Sequence, residues 1–218
     1  MQRTSKFGVF FLAVALPVVI GALTLKTHTP EPTHFGKPLS YWLADGFSFL
    51  SSVGGRPPAE SAFRSMGSKA VPFLIAALGR TDGPFKQLYL RCYPKLPLKL
   101  KTSLPRPYTS YAIRGRAVLA LTFLGPTAKP AIPSLLNLLR NDSDGTRRAN
   151  VINCLDAIDN GDYLEEVIDA FKTARNDPDP LVAQAAWGKL NRRFPIGYLQ
   201  LNDFETTLRK EYEKIDKK

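Results

Sequence analysis

A recurrence of about 35 residues constrains this chain more than any other feature. The segment "DPLVAQAAWGKL", Asp179 to Leu190, aligns with "DGTRRANVINCL", Asp144 to Leu155, at an offset of 35. Asp177 falls on Asp142 at the same offset. A step of 34 back from Leu155 reaches Leu121, which closes "AIRGRAVLAL"; earlier still, Phe63 closes "RPPAESAF". Arg56, Arg114 and Arg148 each stand seven residues before their closing residue, and the fourth copy has Ala183 there. Gly67 and Gly125 follow the first two closing residues by four, where the third copy has Asp159. A period of this size built from helices means stacked helix pairs. Each pair has an apolar face that only its neighbour can bury, and the ends need caps.

The second helix of each pair is readable too. "AVPFLIAAL", "AIPSLLNLL" and "YLEEVIDAFKTA" follow the first three copies. Val71, Leu74, Ile75 and Leu78, then Ile132, Leu135, Leu136 and Leu139, fall at helical spacing. Asp179 before Pro180 reads as an N-cap, and Asp162 with Glu165 and Asn202 with Glu205 have capping-box spacing. Ahead of the repeats, Leu39, Trp42, Leu43 and Phe47 form an apolar stripe behind Pro38, so Leu39–Leu50 is expected to cap one end. Phe204, Leu208, Tyr212 and Ile215 form another, so 203–215 is expected to cap the other. Trp42 and Trp187 sit at apolar helix positions and are expected in the core.

The pattern resembles the HEAT-repeat family. The carrying residues are "DGTRRANVINCL", "DPLVAQAAWGKL" and "LGPTAKPAIPSLLNLLRNDSD", Leu124 to Asp144, and the resemblance covers about 56–193. The last segment has a glycine between helices, prolines opening the second helix and an Asp-x-Asp turn. The resemblance implies an all-α fold, a right-handed α-α superhelix of about four degenerate repeats. It implies that Arg114, Arg148, Asp142, Asp144, Asp177 and Asp179 are structural, linking adjacent repeats, with the last link in question because Ala183 replaces the arginine. An apolar N-terminus followed by "FGKPLSYWL" and such repeats is similar to a group of bacterial HEAT-repeat proteins with no assigned activity. HEAT proteins mostly bind partners along a concave surface, and the fold alone does not name the partner.

Before the repeats, "FGVFFLAVALPVVIGALTL", Phe7 to Leu25, is 19 residues without a charge, behind the basic start "MQRTSK". As a helix it nearly spans a bilayer's hydrocarbon core. Residues 1–25 therefore read as a transmembrane anchor or a signal segment, 26–38 as a linker and 39–218 as the helical domain. Arg3 and Lys6 favour the cytoplasmic side, which places the domain outside the cytoplasmic membrane, tethered or released after cleavage.

No enzyme motif is present, and the two histidines, His28 and His34, precede the repeats. Neither cysteine lies in a metal-ligand spacing. Cys154 reads as a helix core position and Cys92 as part of an irregular run, which argues against a disulfide between them. "DSDG", Asp142 to Gly145, is a calcium-loop fragment without the later ligands and reads as an inter-repeat turn. Glu165, Glu166 and Asp169 read as a cap and a solvated helix face. No catalytic residue, metal or cofactor is expected.

The formal charge of +11 is concentrated. Residues 84–116 carry eight Lys or Arg and no acid, whereas 117–218 carry fourteen positive and fifteen negative residues. The spacing from Phe63 to Leu121 is 58, so the first repeat boundary holds about 23 extra residues, an irregular insertion at about 81–112. Long insertions of this kind are often functional. Lys86, Arg91, Lys95, Lys99, Lys101 and Arg106 are the candidate binding residues. The bland alternative is a loop that drapes Leu90, Tyr93, Leu96 and Leu98 over the repeat and leaves its charges in water. The binding alternatives are an acidic protein, an anionic envelope polymer or anionic lipid. Nucleic-acid binding needs a cytoplasmic location, which the N-terminus argues against.

Overall fold

The computed structural model describes residues 30–47, 58–162 and 164–194. The chain divides into two units, Met1–Glu31 and Pro32–Lys218, of which the second holds the helical domain. The apolar stretch 7–25, Arg56, the Asn202–Glu205 capping-box spacing and the 203–215 cap lie outside the described residues. Among the described residues no helix is long and apolar enough to cross a membrane.

The fold is mostly helical with little sheet. β1 (Thr33–His34) and β2 (Lys37–Pro38) pair antiparallel, Thr33 opposite Pro38. The two residues between them, Phe35 and Gly36, have φ of 47° and 69°, as a two-residue hairpin turn matched to strand twist demands. α1 (Leu39–Ala44) follows with Pro38 at its N-cap and buries Leu39 and Leu43. Trp42 packs partly against the core, and its indole N–H donates to the carbonyls of His34 and Lys37, both at 3.2 Å.

Helix pairs come next. α2 (Pro58–Met66) turns through a 3-10 segment, Gly67–Ala70, into α3 (Val71–Leu78). Two short helices of the insertion intervene, α4 (Pro84–Cys92) and α5 (Leu98–Ser103). α6 (Ser110–Leu124) passes through a 3-10 segment, Gly125–Ala131, into α7 (Ile132–Asn141). α8 (Gly145–Asp159) precedes α9 (Glu165–Ala174), and α10 (Pro180–Arg193) is the last described helix. α6 lies against α1, α2, α3 and α8, and α8 lies against α6, α7 and α10.

The buried positions repeat with the sequence. Val118 and Leu121 of α6, Ile152 and Leu155 of α8, and Leu190 of α10 are fully buried. Each such side chain contributes about 1.5–3 kcal/mol by leaving water. Leu74 and Leu135 in the second helices are fully buried as well. Gly67 and Gly125 both have positive φ, 57° and 53°, where a side chain would be strained. The third pair turns one residue later, through Asn160 (φ 45°) and Gly161 (φ 87°). Asp159, at the position of Gly67 and Gly125, is buried.

Two local expectations are corrected. Asp162 and Glu165 do not form a capping box: α9 has Leu164 at its N-cap without a side-chain cap. The Leu164 amide instead donates to Asp159 Oδ1 at 3.0 Å, five residues back, while Asp162 pairs with Lys129. Trp187 is not in the core but half exposed, at 50 %. Its counterparts at offsets of 35 and 69, Ile152 and Val118, are covered because a further helix lies beside α8 and α6. No further helix is described beyond α10.

Candidate binding insertion

The turn between helix pairs is built by an aspartate. Asp142 Oδ1 accepts the amide of Asp144 at 2.9 Å, and Asp177 Oδ1 accepts that of Asp179 at 2.8 Å. Asp144 and Asp179 in turn cap α8 and α10, accepting the amides of Thr146 and Leu181. A related turn exists at the first boundary, its halves far apart in sequence and with Thr109, one residue before Ser110, as the N-cap of α6. Asp82 accepts the Ser110 amide at 2.9 and 3.0 Å and the Ser110 hydroxyl at 2.6 Å. Where the other turns advance two residues, this one advances 28, so residues 83–108, 26 in all, are spliced in. The repeat period gives about 23 because the first pair is itself short: Phe63 to Asp82 is 19 residues, against 21 from Leu121 to Asp142.

Lys86 belongs to this base. Its Nζ lies 2.8 Å from Asp82 Oδ1 and donates to Ser110 Oγ at 3.1 Å. Burial pushes the Asp82 carboxyl up, but the hydrogen bonds from Lys86 and Ser110 outweigh it and hold the group below its ordinary range. Lys86 is therefore a closing residue rather than a free contact.

Inside the insertion the contacts are mostly with itself. Tyr89 donates its hydroxyl to Pro105 O at 2.6 Å, and Tyr93 donates to Lys101 O at 3.2 Å. Lys101 Nζ donates to Pro94 O at 2.8 Å, which occupies another candidate cation. On the return, Tyr108 donates to the Asp45 carboxylate after α1, with the guanidiniums of Arg106 and Arg116 over its ring at 5.7 and 4.7 Å. Arg91, Lys95 and Lys99 are exposed and have no ion-pair partner among the described residues.

No residue from Pro84 to Thr109 is buried. Leu90, Tyr93 and Leu96 are half-buried, but Leu98 is 77 % exposed and Phe85 is 74 % exposed. Leu88, Leu100 and Leu104 are exposed as well. The draped loop expected from the sequence is thus present only in part. Helix α5 leaves Leu98, Lys99 and Leu100 in water.

The charged residues of the later turns are structural. Arg148 holds both oxygens of Asp177, Nε to Oδ2 at 3.0 Å and a second nitrogen to Oδ1 at 2.7 Å, and donates to Asp142 O at 2.8 Å. Arg114 reaches Asp142 at 4.0 Å. Sequence reasoning missed Arg147, which is 5 % exposed, ion-paired to Asp142 and Asp144, and lies 4.3 Å from the Tyr111 ring centre. It also missed a second cluster. Lys189, Arg192 and Arg193 of α10 surround Asp156, and Arg193 reaches the buried Asp159, tying α10 to α8 where Ala183 has no arginine to offer. Desolvation opposes ionisation of Asp156, but Arg192, Lys189 and Arg193 hold its carboxyl below the ordinary range.

A groove of about 690 Å³ runs between α7 and α9, with Leu136, Leu139 and Ala170 beside Arg140, Glu166 and Asp169. No Ser, Cys or His lines it. Among the described residues no three His, Cys, Asp or Glu gather in metal-binding geometry. Both cysteines are free, Cys92 exposed and Cys154 buried. In comparisons with known proteins, no family model, curated protein or solved structure matches this chain.

Proposed function

We propose that this chain is a non-catalytic binding module. Its scaffold is a right-handed α-α superhelix of about four degenerate HEAT-like repeats. It acts at the outer side of the cytoplasmic membrane, tethered by the apolar segment 7–25 or released there by cleavage. The insertion 83–108, together with the helical surface beside it, is the contact for an anionic partner. One observation carries this reading. Asp82 takes the Ser110 amide as Asp142 takes that of Asp144, so of the whole insertion only Lys86, on Asp82 and Ser110, takes part in closing the turn. The insertion adds no buried side chain. A segment that contributes so little to the fold, lacks any acid and presents Arg91, Lys95 and Lys99 without ion-pair partners among the described residues has its use outside the fold.

The test is a variant lacking 83–108, which leaves Asp82-Thr109-Ser110 in the pattern of Asp142-Ser143-Asp144. It loses the Tyr108 contact with Asp45 and the Lys86 contacts with Asp82 and Ser110, so its unfolding free energy falls by about 2–4 kcal/mol. Crosslinking in native membranes should lose the partners that the intact chain captures. A variant that folds and captures the same partners as before would sink the reading.

A further inference from the structure

We infer that the insertion docks on an anionic phospholipid surface, with Phe85, Leu88 and Leu98 entering the headgroup region and Arg91, Lys95 and Lys99 pairing with lipid phosphates. This rests on the reading of the insertion as a binding element and names its partner.

Single exposed apolar side chains are ordinary on a protein surface. Here Phe85, Leu88, Leu98, Leu100 and Leu104 are all exposed within one segment of 26 residues that carries no carboxylate. Three cations without ion-pair partners among the described residues lie between them in sequence. Large apolar side chains mixed with cations are what an interfacial membrane contact needs, because a bilayer boundary accepts both at once. An anionic polymer would pair with the cations but leave Phe85 and Leu98 in water. The flanking tyrosines, Tyr89 and Tyr93, stack edge-on at 5.7 Å and brace α4 against the end of α5 through the Tyr93 hydrogen bond to Lys101 O. The insertion thus has an internally bonded shape, fully buries none of its side chains, and packs Tyr108 against the domain core. The same chain carries nineteen uncharged residues at 7–25, ahead of the domain.

The native thiols supply the probe. Cys92 is exposed in α4 and Cys154 is fully buried, so a polarity-sensitive fluorophore added to the folded full chain marks the insertion alone. The labelled chain is reconstituted into vesicles of phosphatidylcholine, with and without phosphatidylglycerol. The expected result is a blue shift and quenching by brominated lipid in the anionic vesicles only, weakened by high salt. Lys95→Ala with Lys99→Ala should weaken docking by about thirtyfold. Phe85→Ser with Leu98→Ser should abolish the quenching; circular dichroism checks that both variants stay folded. A label that reports water in both vesicle types overturns the inference. If the label reports water while the 83–108 deletion still loses its crosslinked partners, lipid docking fails and the binding insertion stands with another partner. If the deletion also changes nothing, both fail.

Discussion

Asp82 and Ser110 meet across 28 positions of chain, the carboxylate taking both the amide and the hydroxyl of the serine. The pair keeps an inter-helix turn intact while 26 residues leave and return. Ser110 is 1 % exposed, so losing the carboxylate takes away the protein acceptor of its amide and hydroxyl. Asp82→Ala should therefore cost about 1–3 kcal/mol in urea unfolding. It should also raise hydrogen exchange at the Ser110 amide and throughout 84–108. Asp82→Asn keeps one acceptor and should cost less.

The same pair sets a pH dependence. The Asp82 carboxyl is lowered in the fold, against the upward push of burial. A lowered carboxyl contributes stability that is fully present above its unfolded value, about 3.9, and is lost as pH falls through the lower folded value. The insertion base should stay closed through the neutral range and open only below about pH 4. Exchange at the Ser110 amide as a function of pH measures it. Opening at about pH 5–7, well above that window, would contradict the geometry.

Arg148 and Asp177 form a two-bond ion pair, each carboxylate oxygen held by its own guanidinium nitrogen and both side chains largely buried. The Asp177 carboxyl is lowered chiefly by that guanidinium, against burial. Arg148→Ala leaves a largely buried carboxylate unpaired and should cost about 3 kcal/mol. Arg148→Lys cannot hold both oxygens and should cost about 1–2 kcal/mol. In the alanine variant the Asp177 titration midpoint, followed by NMR, should rise.

Much of the helical architecture can be read from the chain because packing repeats wherever the sequence does. Leu121, Leu155 and Leu190 close equivalent segments and are all fully buried. Arg148 and Asp177 show their role by recurring. Trp187 misleads for the same reason. Its spacing is that of Ile152, but spacing records a side chain's position on its helix and not whether a neighbour covers it. Arg147 escapes notice because it stands beside the recurring Arg148, and nothing local distinguishes the buried guanidinium from its neighbour. The insertion is visible as a break in period and an excess of charge. Which cations are free is not visible, since Lys86 and Lys101 are occupied by Asp82 and by the Pro94 carbonyl, 4 and 7 residues away.

Gly145 opens α8 in a place with no room for a side chain. A Cβ there would lie 1.6 Å from Asp179 Oδ2 and 2.3 Å from its Cγ. That carboxylate caps α10 by accepting the Leu181 amide at 2.9 Å. Gly145→Ala must push Asp179 off the cap, at a cost of about 1–2 kcal/mol. Asp179→Ala removes the same cap directly. The double variant should cost little more than either single one, because both act on one hydrogen bond. Additive losses in urea unfolding would show that the two residues act independently.

The two cysteines should differ in reactivity by orders of magnitude. Burial pushes the Cys154 thiol up to about 12, only partly offset by its hydrogen bond with Thr122. The reactive species is the thiolate, so at about pH 8 only about one Cys154 in ten thousand is ionised. Its full burial blocks the reagent as well. Cys92 is exposed on α4. A disulfide-exchange reagent added to the folded chain should modify one thiol promptly. It should modify the second only at the rate at which the domain opens. Urea that unfolds the domain should make the second reaction as fast as the first, while Cys92→Ser should remove the prompt phase and leave the slow one. Because Cys154 lies in the middle of α8, between the helices that hold Arg114 and Arg193, the slow phase reports opening of the core itself. The Asp82→Ala variant should speed that slow phase only as far as its loss of global stability requires, whereas exchange within 84–108 should rise much further.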